Sequence, residues 1–203
     1  MLTKKEGEET VKLAREIIEK YTLREKLPNL ENYTDVFDEK RGVFVTIHTH
    51  PGHNLRGCIG IPEPIMPLKN AIMEAAISAT HDPRFPPLKE NELGNIIIEV
   101  TILTKPELVK VNKPQEYLEK IKIGRDGLIA EQGFYRGLLL PQVPVEQGWN
   151  VEEFLSHTCW KAGLPFDAWF DKNTKIYKFE GQIFTEVKPK NGIVEKKLNE
   201  HSC

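Results

Sequence analysis

Residues 42–61, GVFVTIHTHPGHNLRGCIGI, decide the fold of this chain. The first nine residues are rich in β-branched and aromatic side chains, which predicts a β-strand over 42–50. Proline, glycine and asparagine favour a turn over 51–54, and residues 55–61 return as a second strand. The stretch therefore predicts an antiparallel hairpin that carries a cysteine between two glycines.

The pattern also divides this hairpin into two faces, because successive side chains of a strand point to opposite sides. Apolar residues of both strands share one face: Val43, Val45, Ile47, Leu55, Ile59 and Ile61. If both apolar sets face one core, His48 and His50 lie on the opposite face with Arg56 and Cys58. A bulge at a glycine would change this register.

Helices and further strands are predicted on both sides of the hairpin. Thr3 and Glu6 are a capping box for a helix over about 4–23, and Pro67 begins a second helix. Residues 95–103 are apolar at nearly every position, which predicts a central strand. The later predicted elements are a short helix to about Lys120 capped by Asn112, strands over 128–131 and 135–140, a helix over 151–162 capped by Asn150 and ended by Gly163, and a strand over 175–187. This irregular mixture predicts an α+β fold, a mainly antiparallel sheet flanked by helices.

Composition narrows the class of protein. The 203 residues are 39% hydrophobic and 29% charged, which is typical of a folded globular chain. The formal net charge of −2 makes a nucleic-acid partner unfavoured, because phosphate binding draws on a basic excess. Three widely spaced cysteines without a Cys-x-x-Cys pair predict neither a disulfide framework nor a structural zinc site. With no apolar leader and no apolar run long enough to span a bilayer, we expect a cytoplasmic protein without a membrane partner.

Cys58 admits two interpretations. As a nucleophile, its thiolate would be favoured by the Arg56 guanidinium, a neighbouring imidazole would take its proton, and Gly57 and Gly60 would leave room for a substrate. As a packing residue, it would be a small apolar group in a strand crowded by a helix, with Arg56 bound to a carbonyl or carboxylate. The residues alone favour packing and leave both interpretations open.

Two pairs of polar residues outside the cysteine stretch are further candidates. His48 and His50 have the spacing of two metal ligands on one strand, but a third ligand must come from elsewhere in the fold, so a simple histidine cluster is favoured. Asp82 and Arg84 flank a proline in a stiff loop and either bind a ligand or lock the loop through their own ion pair, which is favoured. We predict no metal and no cofactor.

The hexapeptide LRGCIG at 55–60 resembles the signature of the AMMECR family. The likeness extends over about residues 8–187 and includes DPRFPP at 82–87, GRDGL at 124–128, LLPQV at 139–143 and Trp149. The resemblance implies one domain over 1–187 with two unequal lobes and a cleft near the hexapeptide. Residues 188–203 form a polar tail that we expect to be mobile.

The resemblance also implies site residues, although it assigns no reaction. Cys58 is the catalytic candidate, and the candidate binding residues are Arg56, Gly57, Gly60, Asp82, Arg84, Phe85, Gln142 and Trp149. Related domains lie beside, or are fused to, Memo-like and radical-SAM proteins, so the resemblance implies partners of those kinds. Family members resemble an ancient intracellular module discussed as a regulatory factor.

Three functions follow from these observations, and they differ in what Cys58 does. The first is a regulatory or binding module whose cleft, lined by LRGCIG, recognises an anionic small ligand or a protein partner. The second is a thiol-dependent enzyme with Cys58 as nucleophile. The third is a nucleic-acid-associated factor, and a metalloenzyme using His48 and His50 ranks last. Whether the protein is an enzyme stays open at this point.

Overall fold

The computed structural model describes residues 1–196, which divide into two compact units. The first unit contains residues 1–103 and 182–196, and the second contains residues 104–181. The described residues form five α-helices: α1 Lys4–Thr22, α2 Leu68–Ala79, α3 Tyr117–Lys120, α4 Gln142–Gln147 and α5 Val151–Lys161. They also form eight strands: β1 Val43–Thr49, β2 Leu55–Ile61, β3 Ile96–Leu103, β4 Glu107–Leu108, β5 Asp126–Gln132, β6 Tyr135–Leu139, β7 Lys175–Lys188 and β8 Asn191–Lys196.

The first unit is a layer of two helices on an antiparallel sheet. The predicted hairpin is present as β1 and β2, and β1 also pairs with β3, every residue of which is buried. Helices α1 and α2 contribute apolar side chains to the core beneath these strands, among them Val11, Leu13, Ile17, Leu68, Ile72 and Ala75. The prediction of a mainly antiparallel α+β fold with a central strand over 95–103 is confirmed.

Local capping signals set the ends of α1. The Thr3 hydroxyl accepts from the amide of Glu6 at 3.3 Å, and the Glu6 carboxylate accepts from the amide of Thr3 at 2.6 Å. Both backbone donors would otherwise lack a partner at the helix start. The predicted capping box and the predicted bounds of α1 are therefore confirmed.

A bulge modifies the predicted register of the hairpin. Val45 pairs with Ile59 and Thr46 pairs with Cys58, but the register shifts between Ile47 and His48. Because His48 is opposite Leu55, Arg56 has no strand partner. The predicted common face of His48 and Cys58 is present, since Thr46 lies beside both. The placement of Arg56 among them is not, because its side chain bonds elsewhere.

The second unit packs α5 on β5 and β6. Its core contains Leu128, Ala130, Phe154, Leu155, Cys159 and Ile176. The Asn150 capping box and the left-handed Gly163 at the end of α5 are both confirmed. The Asn112 cap is wrong: the Glu116 carboxylate instead accepts from the Asn112 amide, and Pro114 opens a short 3-10 turn.

Two elements depart from the sequence-based expectations. Helix α4 was not predicted. The polar tail expected from residue 188 is wrong for Asn191–Lys196, which pair with β7 as β8. The remainder of that tail, 197–203, lies outside the described residues. The division into one domain with two lobes and a cleft stays a prediction.

Candidate functional site

The loop after α2 lies against the backbone of Cys58 in β2. The Cys58 amide donates to Asp82 Oδ2 at 2.9 Å, and its carbonyl accepts from Arg84 Nη2 at 3.2 Å. Backbone groups of a strand alternate between its two sides, and edge strands leave one side unpaired. Asp82 and Arg84 therefore bond the backbone groups of Cys58 where a neighbouring strand would pair with them.

Asp82 is the centre of this arrangement. The residue is only 2% exposed, and its carboxylate accepts four hydrogen bonds, one from the Cys58 amide and three from the amide and guanidinium of Arg84. The Arg84 hydrogen bonds hold the pKa of Asp82 well below its usual range, although burial acts in the opposite direction. The ion pair expected to lock this loop is thus present, with Arg84 Nη2 2.6 Å from Asp82 Oδ2.

Arg56, Arg84 and Phe85 meet beside the same strand. Their guanidinium carbons lie 6.0 Å (Arg56) and 5.7 Å (Arg84) from the Phe85 ring centroid, within the range of a cation–π contact. Arg56 also forms a two-pronged ion pair with Glu92, at 2.8 and 3.1 Å. The structure therefore brings together five of the predicted site residues: Arg56, Cys58, Asp82, Arg84 and Phe85.

The two glycines of the hexapeptide have packing partners. A Cβ on Gly57 would overlap the carbonyl oxygen of Ala79 at the end of α2. A Cβ on Gly60 would overlap the ring of Phe44. The space that the nucleophile interpretation assigns to a substrate is filled by protein at these two positions.

The Cys58 thiol lacks the activating contacts of the nucleophile interpretation. Its hydrogen-bond partner is the Thr46 hydroxyl, 3.2 Å from Sγ, and not an imidazole. Burial raises the pKa of the thiol, and the Thr46 bond and the charge of Arg84 lower it by less. The prediction that Arg56 favours the thiolate is wrong, because Arg56 is paired with Glu92.

We expect Thr46→Val to make the Cys58 thiolate still harder to form. The change removes the hydroxyl that lowers the thiol pKa, and such a hydrogen bond is worth about 1 kcal/mol, or roughly a fivefold effect. Alkylation of Cys58 at a fixed pH near 8 should slow by about that factor. Thr101→Val is the matched control on β3, and faster alkylation of Thr46→Val would contradict the assignment.

The histidines of β1 adjoin a carboxylate that the sequence analysis missed. His48 Nε2 lies 4.0 Å from Glu99 Oε1, and the His48 and His53 rings meet edge to face at 4.3 Å. The amide of His50 donates to the Asn95 carbonyl. Within residues 1–196, no group of three or more His, Cys, Asp or Glu side chains is arranged to hold a metal ion. The available signal for Glu99 was a single charge inside the apolar run NIIIEVTIL.

Gln142 and Trp149 belong to the second unit. Gln142 begins α4, and its Oε1 is buried without a hydrogen-bond partner among the described residues. Trp149 stacks on His157 with ring centroids 3.8 Å apart, and His157 contacts Phe166, which stacks on Trp160. Trp149 is therefore part of an aromatic row within its own unit.

Membrane insertion has no candidate segment in the part of the chain that the structure describes. None of its helices combines the length and the apolar character that a bilayer crossing requires.

Comparison with known proteins extends over nearly the whole chain. A family model described as AMMECR1 matches residues 11–184. Protein MJ0810 of Methanocaldococcus jannaschii is 63% identical over 199 residues, covering 98% of each chain. Protein PYRAB00100 of Pyrococcus abyssi is 54% identical over 198 residues, covering 95% of this chain and 96% of that protein. The crystal structure of uncharacterized protein PH0010 from Pyrococcus horikoshii is similar with a TM-score of 0.88 and 51% identity, covering 97% of this chain and 99% of that one.

Proposed function

The chain belongs to the AMMECR1 family, whose members compared above carry no stated activity, and we propose that it is a binding module for an anionic group. The group is carried by a small ligand or a protein partner and contacts the Arg84–Phe85 surface, defined by these two side chains. One observation carries the proposal: the Arg84 side chain is fixed by a buried carboxylate and yet is 56% exposed.

The fixed guanidinium is suited to recognise a carboxylate or phosphate. Nε and Nη2 of Arg84 bond Asp82 and the Cys58 carbonyl, and Nη1 has no partner among residues 1–196. A side chain already held in place loses little conformational entropy when it binds. The Phe85 ring beside it adds an apolar contact next to the cation.

The thiol supports binding over chemistry. A nucleophilic cysteine acts as a thiolate, so its pKa is normally lowered by its surroundings. Here burial raises the pKa of Cys58, and the glycines around it are filled by packing. In this proposal the module acts in the cytoplasm, and Memo-like and radical-SAM proteins are its candidate partners.

We expect Arg84→Gln to abolish the response to anions. Inorganic phosphate and acetate should raise the melting temperature of the wild-type protein saturably, because each binds the folded state. The apparent affinity should fall at least about tenfold in Arg84→Gln, since a charge-assisted hydrogen bond is lost.

Arg24→Gln is the matched control, because Arg24 is an exposed arginine far from this loop in sequence. Each variant is compared with itself in the absence of anion, which separates binding from any change in basal stability. Equal anion responses of the two variants would contradict the proposed surface.

A further inference from the structure

Glu99 is a charged residue in the middle of the apolar strand β3, and it is only 6% exposed. Its Oε2 atom has no hydrogen-bond partner among the described residues, and both ring nitrogens of His48 are likewise buried and unbonded there. Buried polar atoms in folded proteins nearly always have a partner, so three unpartnered atoms in one place need an explanation.

These atoms belong to one continuous polar group on the sheet. Thr46 of β1 pairs with Cys58 on one side and with Glu99 on the other, so the three residues form a row across β2, β1 and β3. His48 follows two positions along β1 on the same face as Thr46. We name Thr46, His48, His53 and Glu99 the Glu99–His48 cluster.

Charge in this cluster is already balanced. Lys196 Nζ of β8 lies 3.5 Å from Glu99 Oε2, close enough for an ion pair but without a hydrogen bond. The attraction of His48 and Lys196 outweighs burial and lowers the pKa of Glu99, so this carboxyl is ionised at neutral pH. A further cation would lie beside Lys196, and an anion would lie beside the carboxylate. The charges therefore favour a neutral occupant.

The unmet hydrogen bonds define the chemistry of that occupant. Glu99 Oε2 needs a donor, and a neutral imidazole offers one N–H donor and one bare nitrogen. An amide carries an N–H and a carbonyl on adjacent atoms. We propose that the Glu99–His48 cluster binds a neutral amide group, which donates to Glu99 and accepts from His48.

The site uses neither Arg84 nor Phe85, and the proposal does not rest on the anion-binding function. The Arg84→Gln variant should bind an amide as the wild type does.

Acetamide titrated into the ¹⁵N-labelled full chain tests the proposal. We expect saturable shifts of the His48 ring nitrogens and of the Thr46 and Glu99 amides. Acetate and methylammonium, similar in size and of opposite charge, should cause no saturable shift at these atoms. These comparisons use the unmodified chain and so do not depend on the folding of any variant.

Glu99→Gln adds a second arm to the experiment. Glutamine keeps the shape of the side chain but loses the charge and replaces one acceptor oxygen by a donor. The acetamide affinity should fall about tenfold or more, since a hydrogen bond to a charged group is lost. Glu90→Gln, at an exposed glutamate of the same unit, should leave it unchanged. Absence of saturable shifts in the wild type, equal shifts with acetate, or full affinity in Glu99→Gln would overturn the proposal.

Discussion

Asp82→Ala is expected to lower the free energy of unfolding by about 3 kcal/mol at neutral pH. The change removes a buried carboxylate that accepts four hydrogen bonds. It leaves the Cys58 amide without its acceptor, and it releases the Arg84 guanidinium from its only ion-pair partner among the described residues. The half-exposed Arg84 regains water, which keeps the expected loss below that of a fully buried pair.

The pH dependence of this difference follows from the lowered pKa of Asp82. A carboxyl whose folded-state pKa is lowered stabilises the fold above its unfolded pKa of about 3.9, and the stabilisation is lost as the pH falls towards the folded value. The gap between wild type and Asp82→Ala should therefore be largest above about pH 5 and should shrink below about pH 4. Urea denaturation at a series of pH values measures both quantities.

Asp38→Ala serves as the control for this prediction. Asp38 forms an ion pair with Lys69 at 2.6 Å, but its side chain is about half exposed. Exposed ion pairs contribute about 0–1 kcal/mol, so this variant should be nearly as stable as the wild type. Equal losses in the two aspartate variants would show that Asp82 does not anchor the loop to β2.

Gly57→Ala is expected to destabilise the fold by about 2–3 kcal/mol. Its new methyl group would overlap the carbonyl oxygen of Ala79, a backbone atom at the end of α2. Relief requires a shift of the whole helix end against β2, which is also where the Asp82 loop begins. The anion response at Arg84 should therefore weaken together with stability.

Two other glycines give a graded comparison with Gly57. Gly60→Ala meets only the Phe44 ring, a side chain that can rotate away, so a smaller loss is expected. Gly94→Ala has no atom within 4 Å of the new methyl group and should be neutral or slightly stabilising. Chemical denaturation of the three variants checks the order, and a Gly57→Ala protein as stable as Gly94→Ala would contradict the packing account.

Local patterns predict those parts of the fold that local physics determines. The capping residues Thr3 and Asn150 set the starts of α1 and α5, and the apolar run over 95–103 identifies the buried strand β3. The bulge after Ile47 could not be predicted, because alternation continues unbroken in the sequence. The same holds for β8, whose short polar sequence becomes a strand only by pairing with β7.

The candidate site was predictable where its partners are close in sequence. Asp82 and Arg84 are two residues apart, and their ion pair follows from proximity in a stiff loop. Arg56 finds Glu92, 36 residues away, and that choice depends on how the tertiary fold brings the two residues together. The role of the hexapeptide glycines likewise became visible only with α2 and Phe44 in place.

The rate of Cys58 alkylation in the folded protein across pH, with peptide mapping, tests the central claim most directly. The account has a packed thiol bonded to Thr46, with a pKa raised by burial. It predicts slow labelling with an apparent pKa above the usual value of about 8.5, and rapid labelling only after unfolding. Rapid labelling of the native protein with an apparent pKa well below about 8.5 would contradict it and restore Cys58 as a nucleophile.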